Sequence, residues 1–177
     1  MKKYFLLIIL TTFLTFSQTE NDKIIYLDSI QNETLQGNHQ FSRIIREYYL
    51  TKENYKINEY YKSGVLKLEG LTSKKNPVER VGEFIYYYEN GNKKKTLNYT
   101  KDLPEGQITE WFENGKIKLE GVNIADEKKF SYTTKVNQYW NSTNIHLVVD
   151  GNGSYEEREE GFYCSGSVKN GFKIGQW

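Results

Sequence analysis

Few side chains in this sequence could support catalysis or metal binding, and their spacing keeps them apart. The two histidines, His39 and His146, are too far apart to suggest a metal site, and no His/Cys cluster has ligand spacing. Glutamates at 156–157 and 159–160 could form a general acid and base pair, but such runs are more often solvated loops. The sequence therefore predicts no catalytic residue, no metal site and no cofactor.

Two further segments have a chemical and a structural interpretation. Residues 150–154, Asp-Gly-Asn-Gly-Ser, resemble part of a calcium loop because oxygen ligands alternate with glycine. An EF-hand also needs a glutamate at its twelfth position and flanking helices, so we predict a plain turn here. Cys164 is the only cysteine and can form no internal disulfide, so we expect it to be a small buried apolar residue.

The N-terminus has the pattern of a secretory signal peptide. Lys2 and Lys3 precede an apolar run over residues 5–16, and Thr15 and Ser17 supply the small residues required before a cleavage site. We predict a signal peptide over residues 1–17 with cleavage before Gln18, and hence an exported protein. A retained membrane anchor is the alternative, but the run is shorter than the roughly 20 apolar residues that span a bilayer.

The composition of the mature chain limits its partners. Loss of two lysines with the signal peptide lowers the formal charge from +1 to −1, so net charge would not recruit a polyanion. We therefore predict no nucleic-acid partner, and no transmembrane segment after cleavage. Hydrophobic residues make up 37% of the chain and aromatic residues 15%, a composition that suits sheet surfaces better than a deep core.

An internal repeat provides the elements that would position any site. Segments at 59–64, 86–91, 110–115 and 138–143 align, each with paired aromatic residues and a turn. Asn90-Gly91 and Asn114-Gly115 predict two-residue type I′ hairpin loops, in which both residues need a positive φ. Asn170-Gly171 is a further hairpin signal. A second class of turn is predicted at three Gly-x-apolar sequences, which begin at Gly82, Gly106 and Gly175.

These residues resemble the MORN-variant repeat. Tyr88-Glu-Asn-Gly91 and Phe112-Glu-Asn-Gly115 match its pattern best, and the resemblance covers residues 59–177. It implies an all-β, elongated antiparallel meander of repeated hairpins, in a protein of a Gram-negative bacterium. Such proteins are often described as antitoxin-like. The fourth turn, Ser142-Thr143, lacks glycine, and residues 123–136 form an insertion, so the sequence predicts less regular stacking over residues 120–155.

Residues 18–58 precede the repeats and are predicted to form an N-terminal cap of degenerate strands, which would shield the edge of the stack. A short amphipathic helix over residues 40–49 is the alternative for part of this segment. The predicted organisation is thus a signal peptide at 1–17, a cap at 18–58 and hairpin repeats at 59–177.

The predicted hairpin register places Phe112 opposite Ile117 and Trp111 opposite Lys118, on different faces of the sheet. Extended to all repeats, it gives one apolar face, which includes Leu68 and Leu119. The other face would carry an aromatic column beside a basic one and is the predicted binding strip: Tyr60, Tyr87, Trp111 and Tyr139 beside Lys67, Lys94, Lys118 and His146. A purely structural role, in which these cross-strand pairs only stabilise the sheet, would also explain the pattern.

The sequence leaves two non-catalytic functions open. The first is a binding or scaffolding module of the cell envelope, in the periplasm, at the outer membrane or secreted, with a protein, an envelope glycan or a lipid headgroup as partner. The second is an antitoxin-like or immunity component that binds a cognate effector protein, as the resemblance implies. The predicted export favours the first, because an ordinary antitoxin meets its toxin in the cytoplasm.

Overall fold

The computed structural model describes residues 20–159 and 162–175, so the predicted signal peptide lies outside the described residues. The described chain forms a single sheet of 13 antiparallel strands in sequence order, which confirms the predicted all-β meander. The strands are β1 Lys23–Leu27, β2 Phe41–Ile45, β3 Tyr55–Tyr61, β4 Leu66–Lys75, β5 Val78–Tyr87, β6 Lys93–Thr100, β7 Leu103–Trp111, β8 Ile117–Asp126, β9 Ser131–Trp140, β10 His146–Val149, β11 Asn152–Glu159, β12 Phe162–Lys169 and β13 Phe172–Ile174; one 3-10 helix spans Gln36–Asn38.

The N-terminal strands belong to the same sheet as the hairpins. β2 pairs with β1 on one side and with β3 on the other, so the helix considered for residues 40–49 is wrong over Phe41–Ile45. Residues 33–34 pair with the end of β1 through a bridge between Leu27 and Glu33. Such pairing occupies backbone groups that an edge strand would otherwise expose.

The central hairpin turns differ from the predicted type I′ loops. Gly115 N donates to Phe112 O at 2.8 Å, and Phe112 N donates to Lys116 O at 2.8 Å. Only Gly115 has a positive φ, of 82°, whereas Asn114 does not. The loop therefore has three residues, a type I turn closed by a left-handed glycine, and the I′ prediction was wrong here and at the equivalent Asn90-Gly91. Both residues of Asn170-Gly171 do have positive φ, and this predicted hairpin is confirmed.

The fourth hairpin is shifted by one residue from the predicted alignment. Asn144, with φ of 66°, donates through its N to Asn141 O and so occupies the position of the turn glycine. Asparagine tolerates this conformation better than most residues, which explains how the repeat manages without glycine. The insertion at 123–136 lengthens the β8–β9 hairpin without interrupting its pairing.

A β-bulge next to each turn changes the register. Trp111 pairs with Ile117 and Glu110 pairs with Leu119, so Lys118 is the extra residue on its strand. The predicted pairings of Trp111 with Lys118 and of Phe112 with Ile117 are therefore both wrong. The same shift occurs in every repeat, and the extra residues, here called the bulge residues, are Lys67, Lys94, Lys118 and Leu147.

Most of the buried residues lie on one face of the sheet, here called the inner face, although Ile44, Asn58 and Tyr60 are buried on the other. Phe84, Leu97 and Ile108 are paired in sequence across β5, β6 and β7 and are all buried. Leu68 and Leu119 are buried as predicted. The outer face carries one aromatic residue of each repeat, and the register places these residues at Tyr60, Tyr87, Trp111 and Trp140.

A candidate binding groove on the inner face

The inner face carries a cation–carboxylate–cation group across β2, β3 and β4. Glu59 is only 2% exposed and accepts from Arg43 Nε at 2.8 Å and Arg43 Nη2 at 2.5 Å. Lys67 Nζ lies 3.2 Å from the other oxygen of Glu59 and 3.7 Å from the centre of the Phe41 ring. A carboxylate buried this deeply requires such partners, because an unpaired buried charge is costly.

A second polar network is formed by side chains of β5, of β6 and of the turn that follows β6. Arg80 Nε lies 2.7 Å from Asp102 Oδ1, and Arg80 Nη1 donates to the Tyr99 hydroxyl at 2.9 Å. The Tyr86 and Tyr99 hydroxyls share a hydrogen bond of 2.9 Å, and the Arg80 guanidinium lies 4.2 Å from the Tyr99 ring centre. These contacts hold Arg80 and both rings in fixed positions.

A cleft of about 590 Å³ separates the two networks. Its floor includes Ile57 and Phe84, and the exposed Phe130 at the tip of the β8–β9 hairpin forms part of its rim. Arg43 and Lys67 line one wall, and Arg80 lines the other. An apolar floor with a few convergent polar groups is typical of ligand-binding clefts of this volume.

The cleft continues into a smaller one of about 250 Å³, since Lys67 and Tyr86 line both. The smaller cleft is also lined by Tyr61, Lys94 and Lys95. Together the two clefts are called the inner groove. Lys94 is exposed, and within the described residues it has no carboxylate partner; its Nζ lies 5.4 Å from the Tyr88 ring centre.

The pattern of the first carboxylate recurs beyond the smaller cleft. Glu110 lies 3.0 Å from Lys95 Nζ and 3.7 Å from Lys118 Nζ, so one carboxylate again serves two cations. The residues that line the inner groove include more cations than carboxylates. The cations are Arg43, Lys67, Arg80, Lys94 and Lys95, and the carboxylates are Glu59 and Asp102.

Burial and charge pairing shift several pKa values in and near the groove. Burial lowers the pKa of Lys95, but the attraction to Glu110, the hydrogen bond with it and smaller effects of Tyr132 and Tyr99 together raise the pKa overall. Arg80 behaves in the same way, with Asp102 as the main opposing partner. Burial, followed by the contact with Tyr86, raises the pKa of Tyr99. The two cations and the tyrosine therefore keep their protons throughout the physiological range.

The structure divides the predicted binding strip between the two faces. Tyr60, Tyr87 and Trp111 lie on the outer face, and Tyr60 is only 8% exposed. Tyr139 was predicted in the same column, but it is 3% exposed in the core, with its ring 4.2 Å from that of Tyr155.

The basic column is separated from the aromatic one. Lys67, Lys94 and Lys118 are bulge residues whose contacts lie on the inner face, so the predicted aromatic-basic pairs do not form as drawn. The pairs that do form on the outer face are Tyr87 with Lys93 and Trp140 with His146, whose rings stack at 4.3 Å.

Sequence reasoning missed Arg43, Glu59 and Arg80. Their signal was a charged residue at an inward position of an apolar strand, as in Phe41–Ile45. Cys164 is partly exposed rather than buried. The turn predicted at residues 150–154 is confined to Asp150-Gly151, between β10 and β11, because β11 begins at Asn152.

Over residues 20–159 and 162–175, no three His, Cys, Asp or Glu side chains are grouped so that they could hold a metal ion. The described part of the chain also contains no helix that is long and apolar enough to cross a membrane. Comparison with known proteins found no matching family model, no matching curated protein and no matching solved structure. The resemblance to the MORN-variant repeat therefore stays a prediction.

Proposed function

We propose that this protein is an exported, non-catalytic binding module of the cell envelope, and that its inner groove holds a partner with anionic groups. The observation that carries this proposal is the excess of cations over carboxylates in a cleft with an apolar floor. A groove of this kind provides electrostatic complementarity, which gives a binding protein both specificity and rapid association.

The internal contacts of the groove suit binding rather than catalysis. Glu59 is shared by Arg43 and Lys67, so its oxygens are already engaged by the chain's own cations. Asp102 is engaged by Arg80 in the same way. These carboxylates fix the cations in place, and such pre-organisation lowers the cost of ordering side chains when a partner binds.

A charge-reversal pair tests the groove. Lys93 and Lys94 are adjacent and exposed, but Lys93 lies on the outer face and Lys94 lines the inner groove. Lys93→Glu and Lys94→Glu therefore make the same change in net charge on opposite faces. We expect Lys94→Glu to reduce retention of the protein on fractionated envelope extract, whereas retention of Lys93→Glu should equal that of the wild type.

Nuclear magnetic resonance of the labelled mature chain provides an independent readout. When the envelope fraction that the protein retains is added, the chemical shifts that change should belong to residues around the inner groove. In Lys94→Glu the same addition should cause much smaller changes. Equal loss of retention in both variants would show that only net charge matters, and shifts confined to the outer face would contradict the proposal. Recovery of the bound molecule with unchanged mass tests the non-catalytic part.

Export rests on the N-terminal sequence, in which Lys2 and Lys3 precede the apolar run. We expect the protein purified from its native host to have the intact mass of a chain that begins at Gln18. Recovery of the full-length chain from the cytoplasm would contradict export and would favour the antitoxin-like alternative.

A further inference from the structure

We propose that the partner of the inner groove is an acidic polysaccharide in which an acidic sugar alternates with a neutral one. This inference rests on the proposed function and extends it by naming the chemical class of the ligand. It is drawn from the spacing of the bulge lysines, the rings beside two of them and the excess of positive charge in the inner groove.

The bulge lysines form a regular row of charges. Lys67, Lys94 and Lys118 occupy equivalent positions on β4, β6 and β8, with one strand between each pair. Neighbouring strands are about 4.8 Å apart, so successive lysines are separated by roughly 10 Å across the sheet. An extended polymer that lies across the strands would therefore meet a cation at every second strand.

Fixed aromatic rings lie beside Lys67 and Lys94 in the smaller cleft. Tyr61 donates its hydroxyl to Tyr87 O at 2.8 Å, and Tyr86 and Tyr99 are joined through their hydroxyls. Because these hydroxyls are bound within the protein, the rings stand beside the lysines as rigid apolar surfaces. Rigid aromatic rings provide contact area at low entropic cost, and the apolar face of a sugar ring packs well against them.

The spacing favours a polysaccharide over the other anionic partners. An extended acidic peptide presents side chains on one side at every second residue, which is about 7 Å and does not match the lysine row. A single lipid headgroup would engage one position and leave the others unused. A disaccharide unit of an extended glycan is close to two strand spacings long, so one acidic group per disaccharide matches the row.

Defined oligosaccharides test this proposal. The probes are hyaluronan oligosaccharides of increasing length, in which glucuronate alternates with a neutral sugar, and binding to the full mature chain is measured by calorimetry. We expect affinity to increase with each disaccharide until three lysines are occupied, and then to level off. Oligogalacturonate, with an acid on every sugar, should bind more weakly per charge, and neutral dextran should not bind.

Two variants with the same loss of charge provide the control. Lys94→Ala should weaken binding of the longest hyaluronan probe about tenfold, because one hydrogen bond to a charged group is lost. Lys93→Ala should leave the affinity nearly unchanged, and both variants should melt like the wild type because both side chains are exposed.

The possible failures are distinguishable. The polysaccharide proposal would be overturned if affinity stopped increasing at one disaccharide, or if it did not depend on the spacing of the acidic groups. Stronger, Lys94-dependent binding of oligoglutamate or of phosphatidylglycerol vesicles would also overturn the ligand class but would leave the anion-binding groove standing. Binding of none of these anionic probes would refute both proposals.

Discussion

Gly70 tests how tightly the inner face is packed. This glycine is on β4 and pairs with Ile57 on β3. The ring of Phe84 on β5 covers the position where a side chain of residue 70 would begin. A Cβ added at Gly70 would lie 2.5, 2.6 and 2.6 Å from three atoms of that ring. Because Phe84 is 1% exposed and also packs edge-on against Tyr99 at 5.2 Å, its ring cannot move away freely.

The expected cost of Gly70→Ala follows from these distances. Normal carbon contacts are about 3.5–4.0 Å, so the ring must shift by roughly 1 Å. Overpacking of this kind costs about 1–3 kcal/mol, offset by roughly 0.5–1 kcal/mol because alanine loses less entropy than glycine. We therefore expect a net loss of about 1–2 kcal/mol in the free energy of unfolding, or roughly 2–8 °C in Tm for a chain of this size.

Urea denaturation and calorimetry measure this loss, and two further variants control for it. Gly37→Ala adds the same methyl group where nothing lies within 4 Å, and it should be neutral or slightly stabilising. Phe84→Leu should cost less in the Gly70→Ala background than in the wild type, because the smaller side chain relieves the clash. If Gly70→Ala were as stable as Gly37→Ala, the tight packing inferred for the inner face would be refuted.

Three other variants test the turns, the buried ion pairs and the outer face. Gly115→Val forces a β-branched residue to a φ of 82° and should cost about 1–3 kcal/mol in denaturant melts, whereas Thr143→Val should be nearly silent. Glu59→Ala leaves two cations without their shared partner and should cost about 3 kcal/mol, the lower end for a buried pair because both cations are partly exposed. Burial and the hydrogen bond to Glu69 raise the pKa of Tyr87 to about 12, so the folded state keeps a proton that the unfolded state loses above pH 10. Stability should therefore fall between pH 10 and pH 12, and Tyr87→Phe should reduce that fall.

Each of these three predictions has an internal control. Asn144→Val should resemble Gly115→Val, since Asn144 and not Thr143 occupies the left-handed position of the fourth turn. Glu110→Ala should cost less than Glu59→Ala, because the Glu110 side chain is 18% exposed and the Glu59 side chain 3%. A Tyr87→Phe protein with an unchanged alkaline transition would contradict the assigned pKa shift.

The hairpins and their order could be predicted because the signals are local. A glycine after paired aromatic residues marks the first three repeat turns, at Gly64, Gly91 and Gly115, and antiparallel strands that follow each other in sequence usually pair. The second predicted class of turn was wrong at Gly82 and Gly106, because these glycines lie within β5 and β7. The signals failed at the fourth turn, where asparagine takes the place of glycine. Alignment by residue type therefore matched Thr143 to the turn glycines and displaced the fourth repeat by one position, although Asn144 has the positive φ.

The faces of the sheet could not be predicted in the same way. Strict alternation assigns Trp111 and Lys118 to one face, but a bulge places two neighbouring residues, Lys118 and Leu119, against one partner. No residue type marks the bulge, since its extra residue is lysine or leucine. The sequence therefore identified two lysines of the groove, Lys67 and Lys94, but joined them to aromatic residues on the opposite face.

The bulge also explains why the row of lysines stops where it does. In each repeat the bulge residue lies beside the inner-face residue that precedes the outer aromatic, and this residue is Glu59, Tyr86, Glu110 or Tyr139. The first three bulge residues are lysines, and the carboxylates among their neighbours hold them in place. The fourth is Leu147, which packs against the core, and Tyr139 beside it is buried.

A single change in backbone register, repeated four times, thus has two results. It turns a lysine towards the inner face where a carboxylate or hydrogen-bonded tyrosine can support it, and it turns a leucine inward where the neighbouring tyrosine belongs to the core. The length of the row of lysines is therefore set by the residue at each bulge rather than by the number of hairpins. A Leu147→Lys substitution would add a fourth lysine to the row. We expect this variant to bind longer anionic chains more tightly than the wild type, and thermal melting measures the stability lost with one apolar side chain.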